Sequence, residues 1–95
     1  MTPIPKPPFS LTKPRRETDY RLELFDGELL LYHPSRTQIL YCNQTAALIW
    51  HLCDGQHTVQ EIIDLLSAAF PQSGAAIAGD VAVALRQFRQ VGAIE

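Results

Sequence analysis

The segment Leu40–Ile62 constrains the fold more than any other part of this 95-residue chain. Its first three residues, Leu40-Tyr41-Cys42, are typical of a strand, and Asn43 directly after them is a residue that caps helices. A helix is predicted from this cap to the Asp54-Gly55 pair, which provides a stop signal. Thr58–Glu61 then has the Thr-x-x-Glu pattern of a capping box and predicts a second helix. A strand and two helices must therefore follow one another through very short connections.

Three strands are predicted up to this point. Tyr20–Leu24 alternates apolar and polar residues, as a half-buried strand does. Asp26-Gly27 is a two-residue hairpin turn, and Glu28–His33 forms the returning strand. After Pro34-Ser35-Arg36, the residues of Thr37–Cys42 predict a third strand. The turn fixes the register of the hairpin and places Leu24 opposite Leu29, Leu22 opposite Leu31 and Tyr20 opposite His33.

Three helices complete the chain. They are predicted to end near Cys53, to run from Thr58 to about Phe70, and to run from about Ala76 to Val91. Three strands followed by three helices indicate an α+β domain over residues 15–95, with the helices packed on one face of a three-stranded antiparallel sheet. This layout is like that of a winged helix-turn-helix module. Residues 1–14 contain five prolines and are predicted to form an extended or disordered arm.

Charge and composition exclude several classes of function. Residues 1–19 carry four basic and two acidic side chains, whereas residues 20–95 carry four basic and eight acidic ones. An acidic body is unsuited to non-specific binding of nucleic acid. No apolar run has the length of a membrane span, and the N-terminus lacks the apolar segment of a signal peptide. We therefore expect a cytoplasmic protein with Cys42 and Cys53 as free thiols.

The polar residues do not form a recognisable catalytic or metal-binding motif. The three histidines and two cysteines lack the spacing of a zinc site. Neither cysteine has a predicted base nearby, and Asp54 is interpreted as part of the helix-stop turn. No glycine-rich phosphate loop is present. The sequence predicts a protein that is not an enzyme and that requires no cofactor or metal.

Two surfaces are harder to explain by folding alone. Strand alternation places Phe25, Leu30 and Tyr32 on the outer sheet face, away from the helices. We interpret this apolar surface as a contact for a partner or for a second copy of the chain. The alternatives are that the N-terminal arm covers it, or that the register is shifted by one residue.

The second surface is one flank of the third helix. Ala78, Ala82, Arg86 and Arg89 lie together on a helical wheel, beside the buried stripe. The flank is either a solvated helix face or one wall of a groove whose other wall is the open edge of the third strand. An extended peptide could then add to the sheet as a fourth strand. The arginines would pair with acidic side chains of that peptide.

The chain resembles the PqqD family. The resemblance covers about residues 15–95 and consists of several short motifs in order: Leu30-Leu31 with Pro34, Asn43–Ala46, Leu52–Gly55, Thr58–Ile62, Asp80-Val81 and Gly92. It departs from the family at Cys42, where leucine is usual before the capping asparagine, and in its Pro-rich arm. These departures leave open whether the pathway makes pyrroloquinoline quinone (PQQ) or another peptide product.

The resemblance implies a peptide chaperone that does not catalyse a reaction itself. Members of this family bind the leader of a ribosomally made precursor peptide, act as a RiPP recognition element, and present the leader to a partner enzyme, often a radical S-adenosylmethionine (SAM) enzyme. The resemblance implies that the leader pairs with Thr37–Tyr41 and lies against the third helix. Together with the helix flank described above, the predicted peptide-binding residues are Thr37, Gln38, Ile39, Leu40, Tyr41, Ala78, Ala82, Leu85, Arg86 and Arg89. A winged-helix DNA-binding protein and a structural homodimer subunit remain the alternatives.

Overall fold

The computed structural model describes residues 9–95. Its strands are β1 (Arg21–Phe25), β2 (Glu28–Tyr32) and β3 (Ile39–Cys42). Its helices are α1 (Gln44–Leu52), α2 (Val59–Ala69) and α3 (Gly74–Gln90), with short 3-10 helices at Phe9–Leu11 and Pro71–Ser73. The strands form one antiparallel sheet in the order β1-β2-β3, so the predicted α+β arrangement of three strands and then three helices is confirmed.

The hairpin between β1 and β2 has the predicted turn and register. Asp26 and Gly27 have φ angles of 52° and 79°, the positive values that a type I′ turn requires at both central positions. Leu22 pairs with Leu31, and Leu31 pairs in turn with Leu40 of β3. These three leucines share the face that packs on the helices. The register is therefore not shifted by one residue.

The third strand is shorter than predicted. Thr37 and Gln38 were expected to belong to it, but the ladder begins at Ile39, which pairs with Tyr32. The reason is a local turn in which the Arg36 N–H donates to the His33 carbonyl over 3.0 Å. Thr37 and Gln38 bring the chain from this turn back to the sheet, so they do not pair with β2.

Side-chain caps fix the starts of α1 and α2 as predicted. Asn43 Oδ1 accepts a hydrogen bond from the Ala46 N–H over 2.7 Å. The capping box is complete, because Thr58 Oγ1 accepts from the Glu61 N–H over 3.0 Å while Glu61 Oε1 accepts from the Thr58 N–H over 2.9 Å. Each cap satisfies helix-end N–H groups that have no partner within the helix.

The core lies between the helices and the inner sheet face. Helix α3 begins at Gly74, two residues earlier than predicted, because the preceding 3-10 turn leads directly into it. The largest fully buried side chains come from all three helices, from β2 and from the turn before α2: Phe88, Leu31, Ile49, Ile62, Ile77, Leu85, Val59, Val81 and Cys53. One continuous core therefore joins sheet and helices.

The N-terminal segment differs from the predicted arm where the structure describes it. Residues 1–8 of the predicted arm lie outside the described residues. From Phe9 the chain packs on the helical side: the Thr12 carbonyl accepts from the Val59 N–H over 2.9 Å, and Pro14 is buried. The Arg16 N–H also donates to the Cys53 carbonyl over 2.8 Å. Hydrogen bonds to backbone groups between α1 and α2 hold the segment from Phe9 onward in place. The amino-acid composition of the segment does not reveal these distant partners.

Two side chains tie the elements together. The Arg16 guanidinium donates to the carbonyls of Trp50 and His51 at the end of α1, and it lies 5.3 Å from the centroid of the Trp50 ring. The Tyr20 hydroxyl donates to the Val91 carbonyl just after α3. The sheet and the helical layer are therefore held in one relative position.

Candidate peptide-binding site

One edge of the sheet is open at β3. The type I′ turn makes Phe25 and Glu28 a hydrogen-bonded pair, and such pairs alternate along antiparallel strands. The backbone groups of Leu29 and Leu31 therefore point toward β3, where they meet Cys42 and Leu40. It follows that the N–H and C=O groups of the alternate β3 residues point away from the sheet.

Those alternate residues are Ile39 and Tyr41. Within residues 9–95 no strand pairs with this edge of β3, so their backbone groups are open to an incoming strand. The side chains of both residues are exposed, and that of Tyr41 is 67% exposed. An extended peptide can thus approach without displacing a side chain from the core.

A cleft of about 180 Å³ lies between the first half of α1 and α3, and it reaches the end of β3 at Asn43, the residue that follows the strand. It is formed where α1 begins, directly after β3, and it is lined by Asn43, Thr45, Ala46, Ile49, Asp80, Val83, Ala84 and Gln87. Ile49 and Ala84 are buried and form an apolar floor. Asp80, Val83 and Gln87 are exposed on the α3 wall. The cleft therefore combines an apolar floor with a polar rim.

The flank of α3 that the sequence pointed to faces elsewhere. Ala82, Arg86 and Arg89 line a different cleft together with Phe9 and Gln90. The Arg89 guanidinium lies 5.7 Å from the centroid of the Phe9 ring. This flank is on the side of α3 that meets the N-terminal segment. The structure does not bring it together with β3 in one cleft.

Four of the predicted site residues have positions that restrict their role. Leu85 is 0% exposed in the core, so it cannot line a surface groove. Leu40 is half-buried against the helices, and its backbone groups face β2. Gln38, like its neighbour Thr37, precedes the strand and is exposed. Of the predicted strand residues, only Ile39 and Tyr41 present both backbone and side chain outward.

The structure adds Asp80, Val83 and Gln87, which sequence reasoning had not placed in a site. A helical wheel contains a weak signal for them, since they form the flank of α3 on the other side of its buried stripe. A wheel is symmetric about that stripe. It cannot show which flank faces β3.

The outer sheet face carries the apolar side chains that the alternation predicted, together with the charged side chains of Arg21, Glu23 and Glu28. Phe25 is 69% exposed, while Leu30 and Tyr32 are half-buried among their neighbours on that face. The described part of the N-terminal segment packs on the helical side instead. Within residues 9–95, no segment covers this face.

Neither cysteine has the properties of a nucleophile. Burial raises the pKa of the Cys53 thiol to about 12, and burial also raises the pKa of the Cys42 thiol. Both groups are therefore protonated near neutral pH, whereas the reactive form is the thiolate. In the described part of the chain, no three histidine, cysteine or acidic side chains come close enough to hold a metal ion.

Asp54 acts within its own turn. One carboxylate oxygen accepts from the N–H groups of Gln56 and His57 at 2.8 and 3.1 Å, and the other lies 2.9 Å from His57 Nδ1. The hydrogen bond from the Gln56 N–H, with the contacts to His57, lowers the pKa of Asp54 from 3.8 to about 2. The carboxylate is thus held by local backbone, as predicted for a helix-stop turn.

This turn should make stability depend on acid. Because the pKa of Asp54 is lower in the folded protein, the charged carboxylate stabilises the fold fully above about pH 4, and the contribution is lost as pH falls through about 2. Urea unfolding of the wild-type protein and Asp54→Asn should differ at neutral pH and converge toward pH 2. The control is Asp64→Asn on the exposed face of α2. A difference for Asp54→Asn that is constant over this pH range would contradict the assignment.

No single helix in residues 9–95 is long and apolar enough to cross a membrane. Val59–Ala69 and Pro71–Gln90 together have the length and composition of a membrane span, but the chain bends by 119° between them.

Comparison with known proteins gives a match to a protein-family model. A family model described as coenzyme PQQ synthesis protein D (PqqD) matches residues 28–94, from the first residue of β2 to the buried Ile94. No curated protein and no solved structure matches the chain significantly. The matched region contains β2, β3 and all three helices, and hence the open strand edge and the cleft beside it.

Proposed function

The chain belongs to the PqqD family, and from that premise we propose that it is a non-catalytic chaperone for a precursor peptide. In this proposal it binds the leader of a ribosomally made precursor in the cytoplasm and presents it to a modifying enzyme. The pathway is the synthesis of PQQ or of a related peptide product. The partner enzyme is a radical SAM enzyme.

The observation that supports this most is the open edge of β3. Outward-facing N–H and C=O groups at Ile39 and Tyr41 are the groups that pair with an added strand. Each backbone hydrogen bond contributes only about 0.5–1.5 kcal/mol, so the edge alone binds weakly. Side-chain contacts must supply the remaining affinity and the selectivity.

We propose that the cleft beside α1 supplies those contacts. Its lining residues Asp80, Val83 and Gln87 lie next to the point where β3 ends, and its floor is apolar. The flank with Arg86 and Arg89, which the sequence favoured, remains the competing site. Its cleft contains no residue of β3 or of the start of α1, and Phe9 already lies against it.

The outer sheet face is proposed as the contact for the modifying enzyme. Phe25, Leu30 and Tyr32 lie on the face to which Ile39 and Tyr41 direct their side chains. A leader strand added at β3 would extend this face. An enzyme bound there would touch both the chaperone and its peptide, which suits a presenting role.

The test is a titration of the labelled full chain with synthetic leader peptides, taken from short precursor frames beside its gene and followed by amide NMR. We expect the largest shifts at the Ile39 and Tyr41 amides and along Asp80–Gln87. The Leu40 and Cys42 amides already bond to β2 and should shift less. The paired variant Arg86→Glu with Arg89→Glu should leave the affinity unchanged.

Other outcomes would revise the proposal in definite ways. If the double arginine variant weakens binding while the domain stays folded, the peptide lies on the flank predicted from sequence. If leaders bind without shifts at β3, strand addition is wrong. If none of these leaders binds, the peptide-chaperone function is contradicted.

A further inference from the structure

We infer that the peptide recognised at the β3 edge carries a basic side chain beside an apolar one, with the basic group facing Asp80. This inference rests on the proposed function and specifies its ligand. It reverses the expectation from sequence, in which two arginines select an acidic leader.

Charge along the route of the peptide supports the inference. A second open cleft, at the hairpin tip, borders the same end of β3; its lining includes Glu28, Tyr41 and Asn43. Asn43 also lines the cleft that contains Asp80. The two clefts together contain two acidic residues and no basic one. An arriving peptide therefore meets negative charge on both sides of the strand end.

Both carboxylates are free to pair with a ligand. Within residues 9–95, neither Asp80 nor Glu28 forms an ion pair, and both are exposed. At the amino end of α1, the Ala46 N–H already has the Asn43 side chain as its acceptor. A lysine or arginine on the peptide would gain a charge-assisted hydrogen bond, whereas a glutamate would meet repulsion.

The basic side chains of α3 lie on its other flank. Arg86 and Arg89 line the cleft around Phe9. Residues 1–8, which precede Phe9, contain lysine but no acidic residue. Helix α3 therefore has an acidic flank beside the start of α1, where β3 ends, and a basic flank beside the N-terminal segment. An acidic peptide would have to bind on the flank that lacks an open strand edge.

The floor of the cleft specifies the neighbouring residue of the peptide. Ile49 and Ala84 are buried beneath the opening, and Val83 lies 49% exposed at its wall. These side chains have no polar group to offer a ligand. An aliphatic side chain would gain by leaving water there. The recognised element is thus an aliphatic residue next to a basic one in an extended segment.

The inference is tested by selecting peptides from a phage-displayed library of random short sequences. The immobilised full chain is used as wild type, Asp80→Asn and Asp80→Lys, and the control is Asp64→Lys on α2. Circular dichroism confirms that each variant is folded. We expect wild type and the control to enrich lysine or arginine beside an aliphatic residue, Asp80→Asn to lose the basic preference, and Asp80→Lys to enrich acidic residues instead.

One selected peptide is then synthesised with its basic residue and with glutamine in its place. The glutamine form should bind wild type about fivefold more weakly, the scale of one solvent-accessible ion pair. The two forms should bind Asp80→Asn equally. If selected peptides share no basic residue, or their preference ignores Asp80, this inference is overturned while peptide binding stands. If no peptide is enriched on any variant, the proposed function fails as well.

Discussion

Tyr41→Pro should weaken leader binding about tenfold or more while the domain stays folded. Proline removes the N–H that Tyr41 directs to the open edge, and its ring occupies the space in which an added strand would lie. The bonds between β2 and β3 involve Leu40 and Cys42 and should survive. Proline is accepted on edge strands when the lost N–H faced solvent. Affinity is measured by titration calorimetry with the leader that binds in the NMR experiment.

One control variant separates the backbone from the side chain. Tyr41→Thr keeps the N–H and removes the ring, so it should have a smaller effect than proline. Equal losses for Tyr41→Pro and Tyr41→Thr would mean that binding does not depend on addition to β3.

Phe88→Ala should have the largest effect on stability, lowering the free energy of unfolding by about 3–5 kcal/mol. Phe88 is 0% exposed and lies in the core cluster that α3 shares with α1, α2 and Leu31 of β2. Truncation leaves a cavity that close-packed neighbours fill only in part. Domains of this size are stable by roughly 5–15 kcal/mol, so a large share of the total would be lost.

The free energy of unfolding of Phe88→Ala is measured by urea unfolding followed by circular dichroism. The control is Val83→Ala on the same helix; Val83 is 49% exposed, and its loss should change stability far less. The slope of the unfolding free energy against urea should be unchanged, so that the shift of the midpoint reports stability. A Phe88→Ala variant as stable as Val83→Ala would show that the core is not organised around this residue.

The sequence by itself determined the order and most of the limits of the elements. Asn43, the capping box from Thr58 to Glu61, and the Asp26-Gly27 turn act through residues three or fewer positions apart. Local patterns of this kind can be recognised without knowing the rest of the fold. The inner and outer faces of the sheet also followed, because side chains alternate strictly along a strand.

Tertiary structure alone decided which flank of α3 forms a cleft with the start of α1, where β3 ends. The two flanks of α3, one with Asp80 and one with Arg86, are equivalent on a helical wheel, and the way α3 packs against α1 chooses between them. The position of the segment from Phe9 to Arg16 likewise depends on hydrogen bonds to backbone groups far along the chain, at Val59 and Cys53. The periodicity of apolar residues shows which stripe of a helix is buried. The direction in which each flank of that helix faces is set by long-range packing.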